Sequence, residues 1–153
     1  MAESRFTYVT YIRTTQEALW DALTRPEFTR SYWCECWHDT TWQKGATWDL
    51  VIPDGRVCEA GSILDVIKPE RLVLKWRNEF QPMLRAEGYS RCSFALTNVG
   101  EQVKLSLTHS IDVPDSKLIA AFSAVWPLLF SSLKSLLETG AALEETRLWP
   151  RGV

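Results

Sequence analysis

The sequence predicts an α+β fold, a curved antiparallel sheet with one long helix lying across a face. Three observations predict it. Between Ala46 and Ser110, successive segments alternate apolar and polar residues with a period of two, and turn residues separate them. After Pro114 the period becomes helical, with one stripe through Phe122, Trp126, Leu129, Phe130, Leu133, Leu136 and Leu137. Near the start, one strand-like segment passes directly into two short helical patterns.

Each element has its own reason. Residues 5–13 read as a strand, with Tyr8, Thr10 and Ile12 alternating against Val9, Tyr11 and Arg13. Thr14 and Glu17 have capping-box spacing, which satisfies the free N–H groups of a helix start. Ala18, Leu19, Ala22 and Leu23 form that helix's apolar stripe. Pro26 suits the first turn of a second short helix, through about Tyr32. Residues 33–45 read as an aromatic-rich loop or short strand carrying Trp33, Trp37 and Trp42. From Ala46, the residues Trp48, Leu50 and Ile52 share a face, and Pro53-Asp54-Gly55 turns the chain into a hairpin. Strands follow at 57–67, 71–78, 89–97 and 102–110, with 79–88 as a loop. Leu72, Leu74 and Trp76 lie opposite Lys75 and Arg77, as on a sheet with one wet face. Asp115 or Ser116 can cap the last helical segment. Pro127 has no N–H for the helical ladder, so the expectation is a short helix and then a longer one from near Trp126. Gly140 is a natural C-cap, and 141–153 reads as a tail. The organisation is one domain, 1–153, with its core at about 5–140.

Composition bounds the function. The chain has 153 residues, 46% hydrophobic and 24% charged, enough for one real core and too apolar for a disordered chain. A net charge of −2 gives no nucleic-acid footprint. No uncharged apolar stretch is expected to reach the roughly 18 residues of a membrane span, and the first residues lack a signal-peptide pattern. The expected location is therefore the cytoplasm, with neither membrane nor nucleic acid as partner. Cys34, Cys36 and His38 alternate, but their spacing is poor for zinc and no second close pair follows. No metal and no cofactor is expected. The eight tryptophans are unusual, and large aromatics either fill a core or line a cavity.

The ordered set LWDALTRPEF (19–28), KG (44–45), GSILDVIKPERLVLKW (61–76), KLSLTHS (104–110) and WPLLFSSLKSLLETG (126–140) resembles the activator of heat-shock-protein-90 ATPase homologue family. That family belongs to the START-like (SRPBCC) superfamily, and the resemblance covers about residues 8–140. It implies the helix-grip fold, also seen in Bet v 1-like proteins, in which the sheet wraps around the C-terminal helix. It also implies a deep apolar cavity between helix and sheet. Trp33, Gly61, Pro69, Leu72, Thr108-His109, Trp126-Pro127, Glu138 and Gly140 match the family's pattern, while Tyr32 stands where a tryptophan is common. The cochaperone members carry an additional domain, for which this length leaves no room, so their role is not expected to transfer.

The site residues follow from parity. Tyr8, Trp48, Trp76, Phe94, Leu107 and His109 should face inward from the strands, along with Leu50, Cys92 and Leu105. Phe122, Trp126, Leu129, Phe130 and Leu133 should close the cavity from the helix, and Trp33 from the loop. His109 is either a ligand donor and general base or a packed histidine satisfied by a neighbour, and the packed reading is favoured because no relay partner is evident. Glu59 and Asp65 lie in a strand, where an outward, solvated carboxylate is expected. The tryptophan loop is read equally as a gate, a dimer contact or a cap on the core. The leading expectation is a non-catalytic carrier or sensor for a small hydrophobic or aromatic molecule. The alternatives are a cyclase-, aromatase- or hydrolase-like enzyme using His109 and Tyr8 in the same cavity, and a cochaperone-like interaction module. A homodimer is left open.

Overall fold

A computed structural model describes residues 2–153 and shows a seven-stranded antiparallel sheet gripping one long helix. The elements are β1 (Ser4–Ile12), α1 (Gln16–Thr24), α2 (Pro26–Tyr32), β2 (Trp37–Asp39), β3 (Thr47–Val51), β4 (Val57–Ile67) and β5 (Arg71–Asn78). They continue with α3 (Pro82–Arg85), β6 (Ser90–Val99), β7 (Gln102–Ile111), α4 (Lys117–Thr139) and a 3₁₀ turn at Glu144–Thr146. The strand order is β1-β7-β6-β5-β4-β3-β2, so only β1 is displaced from sequence order. It crosses to the far edge because α1 and α2 intervene before the meander begins.

The predicted alternation sets the layers. Leu105, Leu107 and His109 of β7 are fully buried, and Leu72, Leu74 and Trp76 of β5 nearly so. The inward face of α4 meets them through Trp126, Leu129, Phe130 and Leu133, each at most 3% exposed. Burial of each such side chain stabilises the fold by roughly 1.5–3 kcal/mol. Helix and sheet edge are also clamped by polar contacts. Lys134 donates to the Tyr11 carbonyl at 2.7 Å, and Glu138 accepts from the Arg13 backbone N–H at 2.8 Å.

The structure corrects several expectations. Helix α1 is capped by Thr15, whose hydroxyl accepts from Ala18 N–H, so Glu17 falls one place short of closing a capping box. Residues 79–88 contain the short helix α3, whose Leu84 packs beside Ile111 and Leu118. Helix α4 is continuous over 23 residues despite Pro127. The apolar stripe runs unbroken on both sides of the proline, and its burial outweighs the one lost backbone bond. The start of α4 is held as well. Ser116 caps Ile119 N–H, and Glu87 accepts from the Ser116 hydroxyl and from Lys117 N–H at 2.8 Å. By length and composition alone α4 could cross a membrane, yet its inward face is core. Lastly, 141–153 is no loose tail. Cys34 N–H donates to the Thr146 carbonyl at 2.7 Å, and the Trp149 ring stands edge-on to Phe80 at 6.1 Å.

Candidate functional site

A half-open, largely apolar pocket of about 230 Å³ lies at the β3–β4 end of the helix–sheet interface. Its walls come from β3 (Leu50), β4 (Cys58, Glu59), β5 (Trp76, Asn78), α4 (Phe122, Val125, Leu129), the loop after α2 (Trp33, Cys34, Cys36) and the segment after β5 (Phe80, Gln81). Trp149 and Val153 close it from the C-terminal segment. A wider depression of about 910 Å³ sits between Arg13, Thr15, Asn98 and Glu101, but it is more open and is lined mostly by charged and polar residues, unlike the apolar walls that retain a small ligand.

A local defect in the sheet creates the polar end of the cavity. Leu50 pairs with Glu59, but the next residue, Val51, pairs with Val57, which leaves Cys58 as a bulge. Strict alternation would send Cys58 and Glu59 to opposite faces. The bulge lets both turn inward, and each is only 5% exposed. Glu59 is therefore buried, against the expectation of a solvated carboxylate. Its Oε2 accepts from Trp76 Nε1 and its Oε1 from Asn78 Nδ2, both at 2.7 Å. Asn78 is its cross-strand partner and Trp76 a diagonal neighbour, which is why both donors reach it. Burial pushes the carboxyl well above the usual carboxylate range, the nearby Cys58 adds to this, and the two hydrogen bonds oppose it. Asp65, the other strand carboxylate, stays half-buried, 3.6 Å from Arg71.

The expected site residues divide. Trp33, Trp76, Phe122 and Leu129 do line the cavity. Tyr8, Trp48, Phe94, Leu107, His109, Trp126, Phe130 and Leu133 do not, because they fill the interior behind it. Trp48 and Trp76 meet at 4.7 Å, and Trp126 packs edge-on to Trp33, Trp76 and Phe94 within 5.9 Å. Tyr8 packs on Phe130, their ring centres 6.0 Å apart. The aromatic centre is thus solid, and the open volume is displaced to one end.

His109 belongs to that solid centre. Trp126 Nε1 donates to its Nδ1 at 3.2 Å, so the proton sits on Nε2 and is given to Ser90 Oγ at 2.8 Å. Ser90 in turn donates to the Trp76 carbonyl at 2.9 Å. Both nitrogens are engaged, and burial lowers the pKa to about 4. This neutral, fully bonded imidazole has no free lone pair to act as a base. His38 repeats the pattern. Its Nδ1 accepts from Trp48 Nε1 at 3.0 Å, its Nε2 faces the Leu23 carbonyl without a good hydrogen bond, and burial lowers its pKa to about 3. Trp33 and Trp42 stand edge-on to it at 5.0 and 5.2 Å. Two residues of the tryptophan loop therefore cap a buried histidine.

The thiols offer no ready nucleophile. Burial raises Cys34, and hydrogen bonding with Cys36 followed by burial raises Cys58, which keeps both protonated. The loop that carries Cys34 and Glu35 is strained, with φ of 49° and 62°. That conformation presents Cys34 N–H to Thr146 and the Glu35 carboxylate to Trp149 N–H, at 3.4 Å, and so docks the C-terminal segment over the cavity. Sequence reasoning missed Glu59, Asn78, Phe80 and Trp149. Strand parity could have raised Glu59 but could not show the bulge, and no local signal shows where a tail docks.

Sheet, grip helix and end cavity together define a helix-grip protein of the SRPBCC type. The chain belongs to the family described as activator of Hsp90 ATPase homolog 1-like protein, whose sequence profile matches residues 13–138. No curated protein sequence matches it significantly. Among solved structures it is similar to protein MLL2253 from Mesorhizobium loti, with a TM-score of 0.71 and 24% identity over 87% of this chain and 97% of that one. It is also similar to the Aha1 dimer from Colwellia psychrerythraea, with a TM-score of 0.70 and 19% identity over 90% and 98% of the two chains. CalU16 from Micromonospora echinospora has a TM-score of 0.71 and 17% identity over 93% and 78%. At these identities the likeness shows the fold alone.

Proposed function

We propose that the protein binds a small, largely apolar molecule in the end cavity, as a carrier or sensor rather than a catalyst. The observation that carries this reading is the half-open pocket of about 230 Å³, walled mainly by aromatic and aliphatic side chains with Glu59 and Asn78 at one side. Apolar enclosure with a few fixed polar groups is the usual composition of a ligand site. The volume is below the roughly 300 Å³ of typical sites, so the ligand is small. The engagement of both His109 nitrogens supports binding over proton-transfer chemistry.

Native against denaturing mass spectrometry of freshly purified protein tests the reading. A reproducible extra mass that is lost on denaturation supports it, and the mass begins to identify the ligand. A ligand held at a hundredfold excess over its Kd should stabilise the fold by about 2.7 kcal/mol. Leu129→Phe, which grows into the cavity, should abolish the extra mass. A second reading is a cochaperone-like interaction module. It is favoured by the similarity to a structure described as an HSP90 activator from Plasmodium falciparum, at 19% identity and a TM-score of 0.68. A bare chain mass, with no stabilisation by any apolar compound, would favour it.

A further inference from the structure

The chemistry of the cavity selects among small molecules by charge. Glu59 is a buried carboxyl with no basic partner. No lysine, arginine or histidine lines the cavity among the described residues. The nearest basic side chain along β5, Arg77, is committed to Glu79 at 2.6 Å, and Arg85 also reaches Glu79. Buried carboxylates are ordinarily matched by a cation, because an isolated ion is costly to desolvate.

The groups that do touch Glu59 are both donors, an indole N–H and an amide N–H₂. Each carboxyl oxygen has two acceptor positions, so one on each remains unfilled. Donors on both oxygens favour the anionic form, burial without a cation outweighs them, and a positive partner in the cavity would reverse that balance. The neighbouring thiols are held protonated, which leaves a metal ion short of anionic ligands. Five of the remaining lining side chains are rings, Trp33, Trp76, Phe80, Phe122 and Trp149; the Arg56 guanidinium already lies over Phe80, 4.9 Å from its centre, which leaves the other four for a guest. Ring faces carry partial negative charge and attract desolvated organic cations. An anionic ligand would meet repulsion from the rings and from Glu59 alike.

We infer that the cavity takes a small organic cation, a protonated amine or a quaternary ammonium group, with its charge against Glu59 and its alkyl surface on the aromatic walls. This rests on reading the cavity as a ligand site. It adds that a positive charge is the selected feature.

The test is calorimetric titration of the whole protein with choline and with its uncharged carbon isostere, 3,3-dimethylbutan-1-ol. The expected result is at least tenfold tighter binding of choline. Glu59→Gln should remove that preference and leave the isostere within twofold of its original affinity. Near-UV circular dichroism checks that this variant is folded. A second variant, Trp149→Leu, keeps the carboxyl but removes a ring, and should weaken choline at least threefold more than it weakens the isostere. Equal or tighter binding of the isostere to the unaltered protein overturns the charge selection and leaves the ligand cavity standing. Binding of neither probe, with uptake of a neutral apolar dye that Leu129→Phe blocks, likewise overturns the charge selection alone. Binding of neither probe and no dye uptake overturns both.

Discussion

Glu59, His109 and His38 are three buried titratable side chains whose protonation preferences oppose one another. Both histidines have folded-state pKa values below 6.5, so the stability present above pH 6.5 is lost as pH falls toward about 4 for His109 and about 3 for His38. The His109 shift alone corresponds to roughly 3 kcal/mol. Glu59 has a raised pKa, so its contribution is present at low pH and lost as pH rises above 4.5. Groups near Glu59 that also titrate are Cys58, Cys92 and Glu79. Between pH 4.5 and 6.5 two histidines act against one carboxyl, so the urea midpoint should fall as the pH is lowered. Glu59→Gln should steepen that fall and raise stability above pH 6.5, and denaturation curves at half-unit pH steps would check both. His109→Ala should lower Tm strongly, because it orphans Trp126 Nε1 and leaves a cavity, at a cost of about 2–4 kcal/mol. The packed role of His109 was legible from its place on an apolar face. The buried state of Glu59 was not, because one extra residue in β4 changes the parity that sequence alternation assumes.

At the scale of elements, the strands were the most legible. Their apolar faces are strictly spaced, and turn residues mark their ends. The limits of β4 and β5 fall where alternation and the turns at Pro53-Asp54-Gly55 and Lys68-Pro69 put them. Helix α4 reads as two in the sequence because a proline's local cost is visible there, whereas the burial on either side of it is not. Pro127→Ala restores a donor to the Ser123 carbonyl and should stabilise the protein by about 1–3 kcal/mol, read as a higher thermal midpoint. An unchanged midpoint would show that the proline ring itself is well packed. Gly61 has the opposite sensitivity. It lies in register between Trp48 and Trp76, and an added Cβ would come within 1.7 Å of the Lys75 carbonyl oxygen. Gly61→Ala must therefore force β4 and β5 apart and should cost about 3 kcal/mol or more, measured by chemical denaturation. Helix α3 left no signal because four residues are too few to show a period.

For the whole molecule, the fold was legible and the position of its cavity was not. The inward residues of strands and helix suggest a ring of aromatics around a central void. Packing closes that centre, and the apolar pocket lies where the sheet bulges and the C-terminal segment folds back. Trp149 sits on this space, so Trp149→Ala should speed dissociation of any bound molecule by tenfold or more while leaving Tm within a few degrees, which stopped-flow displacement would resolve. The closed aromatic centre also has an optical consequence. Trp33, Trp126, Trp76 and Trp48 form a continuous series with neighbouring ring centres 5.8, 5.6 and 4.7 Å apart. At such separations excitation is shared among indoles rather than held by one. The array should give strong, split near-ultraviolet dichroism and depolarised emission. Two of its four members, Trp33 and Trp76, face the cavity, so a single guest would dim or brighten the whole series. The protein thus carries its own reporter of occupancy, with no label added.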